Sequence, residues 1–151
     1  MKTITGNIID IEQGIICHQV NCQRVAGAGL AKQIREMWPS WYRFFRYNSS
    51  GYKTLGDCSL YTLKDKALYL ASLYAQGGYG RHERQTDYAA FESCLAGLRK
   101  NQDTHPALFF KTLSVYFPYK IGCGLAGGDW AIIEPLIEKY FPEAVIVRRP
   151  K

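Results

Sequence analysis

The stretch Ile121-Gly122-Cys123-Gly124-Leu125-Ala126-Gly127-Gly128-Asp129-Trp130 gathers glycines, a thiol and a carboxylate between an apolar run and a segment of helical character. Its G-x-G-x-x-G spelling admits a dinucleotide-binding turn, a cysteine-phosphatase loop, or a phosphate cradle made of backbone amides. A second glycine-bearing stretch, Cys22-Gln23-Arg24-Val25-Ala26-Gly27-Ala28-Gly29, also leads into a helical segment. Glycines at such turns let N–H groups approach phosphate oxygens, and the following helix N-terminus adds a favourable field. Either loop alone is explained by glycine's habit of ending a strand. The pair suits the two ends of a diphosphate.

Position excludes the dinucleotide reading. That fingerprint belongs at the first strand-to-helix turn with an acid about 20 residues on, whereas this motif starts at residue 122 and Val147-Arg148-Arg149 stands where the acid would be. Thiol-phosphatase chemistry needs an arginine a few residues after the cysteine. The sixth residue after Cys123 is Asp129, whose charge would repel the substrate. Cys123 itself sits where a helix N-terminus would lower a thiol pKa, or where a small side chain simply packs. Asp129 suits either a water-orienting base or a helix N-cap. His82 and His105 fall in polar loops, and the sequon Asn48-Ser49-Ser50 is uninformative in a chain expected to be cytosolic.

Five scattered cysteines form no C-x-x-C pair, so reduced thiols are expected, with no disulfide framework, metal or cofactor. Cys17, His18 and Cys22 lack a fourth ligand nearby. The 151 residues, 47% hydrophobic and 14% aromatic, suit one domain over 1–151. No window approaches the roughly 18 apolar residues of a membrane span, and Asp10 interrupts any leader-like start, so a cytoplasmic protein with no membrane partner is expected. The net charge of +6 is spread from Lys2 to Lys151, with only Arg148-Arg149-Pro150-Lys151 clustered. Such a charge favours an anionic partner, either a nucleic acid or a phosphorylated small molecule.

The elements that must carry the loops alternate in kind. Thr3–Ile9 and Gly14–Val20 read as strands, the second ending at Asn21. Leu30, Ile34, Met37 and Trp38 have helical spacing, and Pro39 restarts a helix bearing Trp41, Phe44 and Phe45. Cys58–Leu63 and Ala67–Ala75 read as strands around the turn Lys64-Asp65-Lys66. Asp87 caps a helix from Tyr88 to about Arg99 with Phe91, Cys94, Leu95 and Leu98 on one face. A strand from about Leu108 to Phe117, ending at Ile121, precedes the glycine loop. An amphipathic helix follows with Trp130, Ile133, Leu136, Ile137 and Tyr140, which Pro135 should kink; Ala144–Val147 is the last strand. Helical crossovers between strands predict an α/β layered domain with a mixed sheet.

The segments Cys17-His18-Gln19-Val20-Asn21-Cys22-Gln23, Ala26-Gly27-Ala28-Gly29-Leu30-Ala31 and Ile121-Gly122-Cys123-Gly124-Leu125 resemble the macrodomain family, from about Thr3 to Val147. The likeness is to yeast-type ADP-ribose-1″-phosphate phosphatases, terminal ADP-ribose glycohydrolases, and small stand-alone macrodomains of bacteria and phages. It implies a three-layer α/β/α fold that binds ADP-ribose in a cleft over the strand ends. By the same resemblance Gly6, Asn7 and Ile8 lie at the adenine, with Asn7 where many relatives carry Asp. Asn21 meets the distal ribose, Gln23 and the turn Ala26, Gly27, Ala28, Gly29 and Leu30 surround the distal ribose and diphosphate, and Ile121, Gly122, Cys123, Gly124, Leu125, Ala126, Gly127 and Gly128 form the second phosphate loop. Gln76 and Tyr79 border the cleft, while Ser72 has no counterpart.

Departures bear on the reaction. The terminal glycohydrolases carry an adduct-forming lysine and an aspartate after G-C-G-L; here Ala126 replaces the aspartate and Gln76-Gly77-Gly78-Tyr79 offers no lysine. The Asn-Ala-Ala-Asn sequence and longer glycine loop of the proximal-ribose hydrolases are also missing. His18, three residues before Asn21, coincides with the histidine assigned to catalysis in the phosphatase branch, and an imidazole near pKa 6.5 can pass a proton at neutral pH; a satisfied core histidine is the alternative. The resemblance therefore implies a monomeric phosphatase acting on ADP-ribose-1″-phosphate, with His18, Asn21 and Asp129 as catalytic candidates. A non-catalytic module for ADP-ribose or an NAD-derived signal nucleotide, or an ADP-ribosyl hydrolase acting on a modified macromolecule, remains open beside it.

Overall fold

The computed structural model describes residues 1–47, 53–79 and 83–151. His82 and the Asn48-Ser49-Ser50 sequon lie outside the described residues. In chain order the elements are β1 (Lys2–Thr5), a 3-10 turn (Ile8–Asp10), β2 (Gly14–Asn21), α1 (Gly29–Met37), α2 (Pro39–Tyr47), β3 (Cys58–Lys64) and β4 (Leu68–Gln76). They continue with α3 (Tyr88–Thr104), α4 (Leu108–Lys111), β5 (Val115–Pro118), α5 (Trp130–Tyr140) and β6 (Val145–Arg148).

The strands form one sheet of order β1-β6-β5-β2-β4-β3. Every neighbouring pair is parallel except β3 on β4, which is antiparallel. Crossover helices require both faces of such a sheet to be covered. Strand β2 accordingly alternates between two cores. Ile15 and Cys17 pack with Phe91, Leu95, Ile133 and Ile137 of α3 and α5, whereas Ile16 and Val20 pack with Ile34, Trp41 and Phe45 of α1 and α2. The mixed sheet in three α/β/α layers is the architecture expected from the sequence.

Proline and capping residues set several boundaries as anticipated. Pro39 opens α2 directly after Trp38 ends α1, since the fixed φ of proline and its missing N–H suit a first helical position. Asp87 and Asp129 cap α3 and α5 by accepting from Ala90 N and Ala131 N. Pro135 lies inside α5, which nonetheless continues from Trp130 to Tyr140. Ala131, whose carbonyl loses its partner there, is exposed to water.

Four expectations are corrected. The N-terminal strand stops at Thr5 rather than Ile9, because Asn7 Oδ1 accepts from Ile9 N and turns the chain. Helix α3 reaches Thr104 rather than Arg99, held by buried Gln102, whose Nε2 donates to Phe110 O at 3.1 Å and Leu113 O at 2.9 Å. The apolar run from Leu108 is no single strand: Leu108–Lys111 is a helical turn with Leu108 74% exposed, and β5 starts at Val115. β5 also ends at Pro118 rather than Ile121, since Ile121 N turns back to Pro118 O at 3.0 Å.

Candidate functional site

The carboxyl ends of β2, β4 and β5 open into a cleft of about 620 Å³. Two loops wall it, 22–28 between β2 and α1, and 119–129 between β5 and α5. Asn21 shapes the first. Its Nδ2 donates to Val25 O at 2.7 Å and its Oδ1 accepts from Val25 N at 3.0 Å. The second loop closes on itself through Gly128 N to Gly122 O at 2.8 Å, and Ala126 O accepts from Gln85 N and Thr86 N. Gly122 has φ +73, and a Cβ there would stand 2.6 Å from Gln19 Oε1, so the close approach and the left-handed backbone both call for glycine.

These closures leave amides unspent. Among the described residues no protein acceptor meets the backbone N–H of Gly27 or Ala28, nor that of Gly122, Gly124, Leu125 or Ala126. Backbone donors of this kind at the entrances to α1 and α5 form an anion-binding concavity. Among the described residues the cleft lining contains no carboxylate, and Lys120 is its charged side chain.

A polar network that the sequence reading missed lies on the floor. Gln19 Nε2 donates to Gln76 Oε1 at 2.7 Å and to Thr86 Oγ1 at 2.9 Å, and Thr86 Oγ1 donates to Gly122 O at 2.7 Å. Gln76 Nε2 donates to Gly78 O at 2.8 Å. Glutamine on a central strand was the available signal, because a buried amide demands partners. Which partners it finds depends on the strand neighbour and on a loop 67 residues away in sequence.

His18 borders the cleft from below, yet only 1% of its surface is exposed. Its Nε2 hydrogen-bonds Ser72 Oγ at 2.7 Å, and its ring meets Trp41 edge-on with centroids 5.0 Å apart. Ser72, without a counterpart in the sequence comparison, stands directly beside it on β4. Burial lowers the imidazole pKa to about 3, since an apolar site disfavours the charged form. The expectation of an imidazole titrating near neutrality is corrected: this side chain is neutral at pH 7 and has no proton to donate as an imidazolium.

The other two catalytic candidates have structural duties. Asn21 lines the cleft while it gives one donor and one acceptor to Val25, as described. Asp129 is exposed and lies outside the cleft lining, and its Oδ1 caps α5 through Ala131 N at 2.9 Å. Cys123 is no activated thiol: burial, then the charge of Asp129, raises its pKa to about 11. His105 ends α3, accepts from Ala107 N at 3.0 Å in the turn before α4, and stacks on Phe110.

The cleft gathers most of the expected binding positions. Gly27, Ala28, Gly29 and Leu30 line one wall, Ile121, Gly122, Gly124, Leu125 and Ala126 the other, and Gln76 and Tyr79 its edge. Ala26, 1% exposed, packs behind the first wall, and Gln23, Cys123, Gly127 and Gly128 also lie off the lining. Gly6, Asn7 and Ile8 stand apart at the end of β1, where Asn7 caps the 3-10 turn and Ile8 is core. Val20, Val25, Ala31, Pro118, Tyr119 and Lys120 line the cleft without having been singled out in the sequence.

No family model matches the chain. It is 28% identical over 153 residues to an uncharacterized 17.5 kDa protein in the tk-vs intergenic region of Enterobacteria phage T4, covering 97% of this chain and 94% of that one. A protein of unknown function from Bacteroides thetaiotaomicron has a similar structure, with TM-score 0.82 and 28% identity over 99% of this chain and 97% of that one. The macrodomain of Mycobacterium tuberculosis DarG superposes with TM-score 0.78 at 19% identity, covering 99% and 97% of the two chains. Thermosipho africanus DarTG, solved in complex with ADP-ribose, gives 0.80 at 20% identity over 98% of this chain and 41% of that one. With its sheet order, its two cores and its glycine loops over the strand ends, this chain has the macrodomain fold.

Proposed function

We propose that the protein binds ADP-ribose or a close derivative in this cleft and holds it without turning it over. The observation that carries the reading is the pair of unengaged amide sets, at Gly27-Ala28 and at Gly122 and Gly124 to Ala126, facing a cleft with no carboxylate among the described residues. A diphosphate supplies two acceptor-rich groups for two such sets, and charge-assisted N–H···O bonds of this type are stronger than neutral ones. The volume, about 620 Å³, is that of a pocket for a small ligand. The complex of the similarly folded Thermosipho africanus DarTG with ADP-ribose supports the same ligand class.

In this reading the 22–28 turn, kept in shape by Asn21, receives the distal ribose and one phosphate, and the 119–129 loop receives the other. Hydrolysis of ADP-ribose-1″-phosphate is the weaker reading. It needs a group that exchanges a proton at the scissile ester; burial makes His18 a weak base, and Asp129 caps α5 outside the cleft lining. Removal of ADP-ribose from a modified macromolecule meets the same lack, with Ala126 where the glycohydrolases carry aspartate.

Titration calorimetry with ADP-ribose and with ADP-ribose-1″-phosphate, paired with a phosphate-release assay, tests both halves. The expected result is saturable binding of each ligand with no phosphate released. Absence of binding refutes the ligand assignment. Catalytic phosphate release that disappears in His18→Ala restores the phosphatase reading.

A further inference from the structure

Lys120, the charged side chain of the cleft, does not stand alone. Its Nζ lies 5.5 Å from the centroid of the Tyr119 ring, and the guanidinium carbon of Arg148 lies 4.4 Å from the same centroid. Trp130 supports that ring edge-on at 5.3 Å. Two cations are therefore gathered on one aromatic ring that itself lines the cleft. Both are exposed, and among the described residues neither forms an ion pair; the pairs present are Arg99–Asp103 and Lys139–Glu92. The carboxylate tied to this cluster is Glu134, one ring removed, which accepts from Trp130 Nε1 at 3.1 Å.

Each cation gains from the ring, and neither has its charge neutralised by a carboxylate among the described residues. A phosphate at this rim would meet unpaired positive charge and gain charge-assisted hydrogen bonds. The diphosphate assigned above is held by loop amides, so these cations remain for a further charge.

Topology identifies which end of the ligand would carry it. Arg148 ends β6, and its carbonyl accepts from Gly6 N at 2.9 Å, beside the end of β1. The Asn21 turn follows β2, on the opposite side of β5. With the distal ribose over β2, the nucleoside end points toward β6 and β1.

We propose that the Tyr119–Lys120–Arg148 rim is a phosphate subsite that takes a phosphate ester on the adenosine ribose, making the preferred ligand a phosphorylated ADP-ribose. The proposal rests on the ADP-ribose reading of the cleft and specifies its substrate class. A free phosphomonoester and a phosphodiester continuing into a nucleic-acid strand share this chemistry.

The test is calorimetry on the full chain with ADP-ribose and ADP-ribose 2′-phosphate, native and Arg148→Gln, plus competition by a single-stranded DNA tetranucleotide. The extra phosphate should tighten binding about fivefold to tenfold, and high salt should shrink the gain. Arg148→Gln should remove the gain while leaving ADP-ribose affinity unchanged and lowering the unfolding temperature by no more than about 3 °C, because its side chain is exposed and outside the cleft lining. Displacement by the tetranucleotide, lost in Arg148→Gln, identifies the diester as the source; failure to displace, with the 2′-phosphate gain intact, identifies the monoester. Equal affinity for the two ligands without displacement, or a gain that survives in Arg148→Gln, overturns the subsite. If ADP-ribose itself does not bind, the parent reading falls with it, an outcome visible in that arm alone.

Discussion

Replacing Gly122 with alanine probes the cleft floor at its tightest point. The new Cβ would stand 2.6 Å from Gln19 Oε1, 3.2 Å from Gln19 Cδ and 3.2 Å from Thr86 Oγ1, on a backbone with φ +73. The left-handed conformation costs alanine about 1 kcal/mol. Moving the Gln19 amide aside puts at risk its bonds to Gln76 and Thr86, each worth about 1 kcal/mol net. The sum is about 2–3 kcal/mol, which in a chain of 151 residues lowers the unfolding temperature by about 5–10 °C. Gly124, two residues on, is the control. A Cβ there meets nothing within 4 Å, and its φ lies outside the left-handed region, so Gly124→Ala should stay within about 0.5 kcal/mol of native. Thermal unfolding followed by circular dichroism reads both. A Gly122→Ala protein that melts within 2 °C of native, or a Gly124→Ala protein that falls equally far, refutes the packing argument.

Other consequences follow from the same geometry. Burial lowers the His18 pKa in the fold to about 3 from its ordinary 6.5, so the unfolded chain binds the extra proton between those values; its contribution to stability is complete above pH 6.5 and lost on acidification, at up to about 1.4 kcal/mol per pH unit. Denaturant titrations from pH 7 to 4 should show that slope diminished in His18→Gln, and imidazole NMR should show no titration of His18 between pH 5 and 8. Asn21→Ala removes both bonds to Val25 and should cost about 2 kcal/mol while weakening ADP-ribose in calorimetry more than tenfold; undiminished affinity would mean that the 22–28 turn does not need its brace. Asp129→Ala deletes the α5 cap and should cost about 1 kcal/mol of stability, measured by denaturant unfolding, with ligand affinity preserved.

Much of this arrangement is legible in the sequence. Period and punctuation located β2, β3, β4, α1, α2 and α5, because a half-buried helix must repeat its apolar residues each turn and proline must end or begin one. The paired glycine loops were legible for a similar reason, since close backbone approach restricts residue type locally. The run from Leu108 was misread because exposed Leu108 and Phe109 are as apolar as a core strand. Only the anchoring of Gln102 on Phe110 O and Leu113 O decides that this stretch turns. The end of β5 at Pro118 was likewise beyond a local pattern, as Tyr119 and Ile121 are apolar for a loop.

What the sequence determined by itself was the layered α/β class, the order of its elements outside the stretch from Leu108, and two amide-bearing turns suited to phosphate. The roles of the side chains around those turns were decided by tertiary structure. His18 carries an ordinary imidazole until the fold buries it beside Ser72 and Trp41, contributed by β4 and α2, and so disfavours its charged form. Gln19, Gln76 and Thr86 are unremarkable until the sheet brings them under Gly122. The division has a physical cause. Backbone conformation is governed largely by neighbours in sequence, whereas protonation state and hydrogen-bond partners depend on burial and on groups that only the fold brings together.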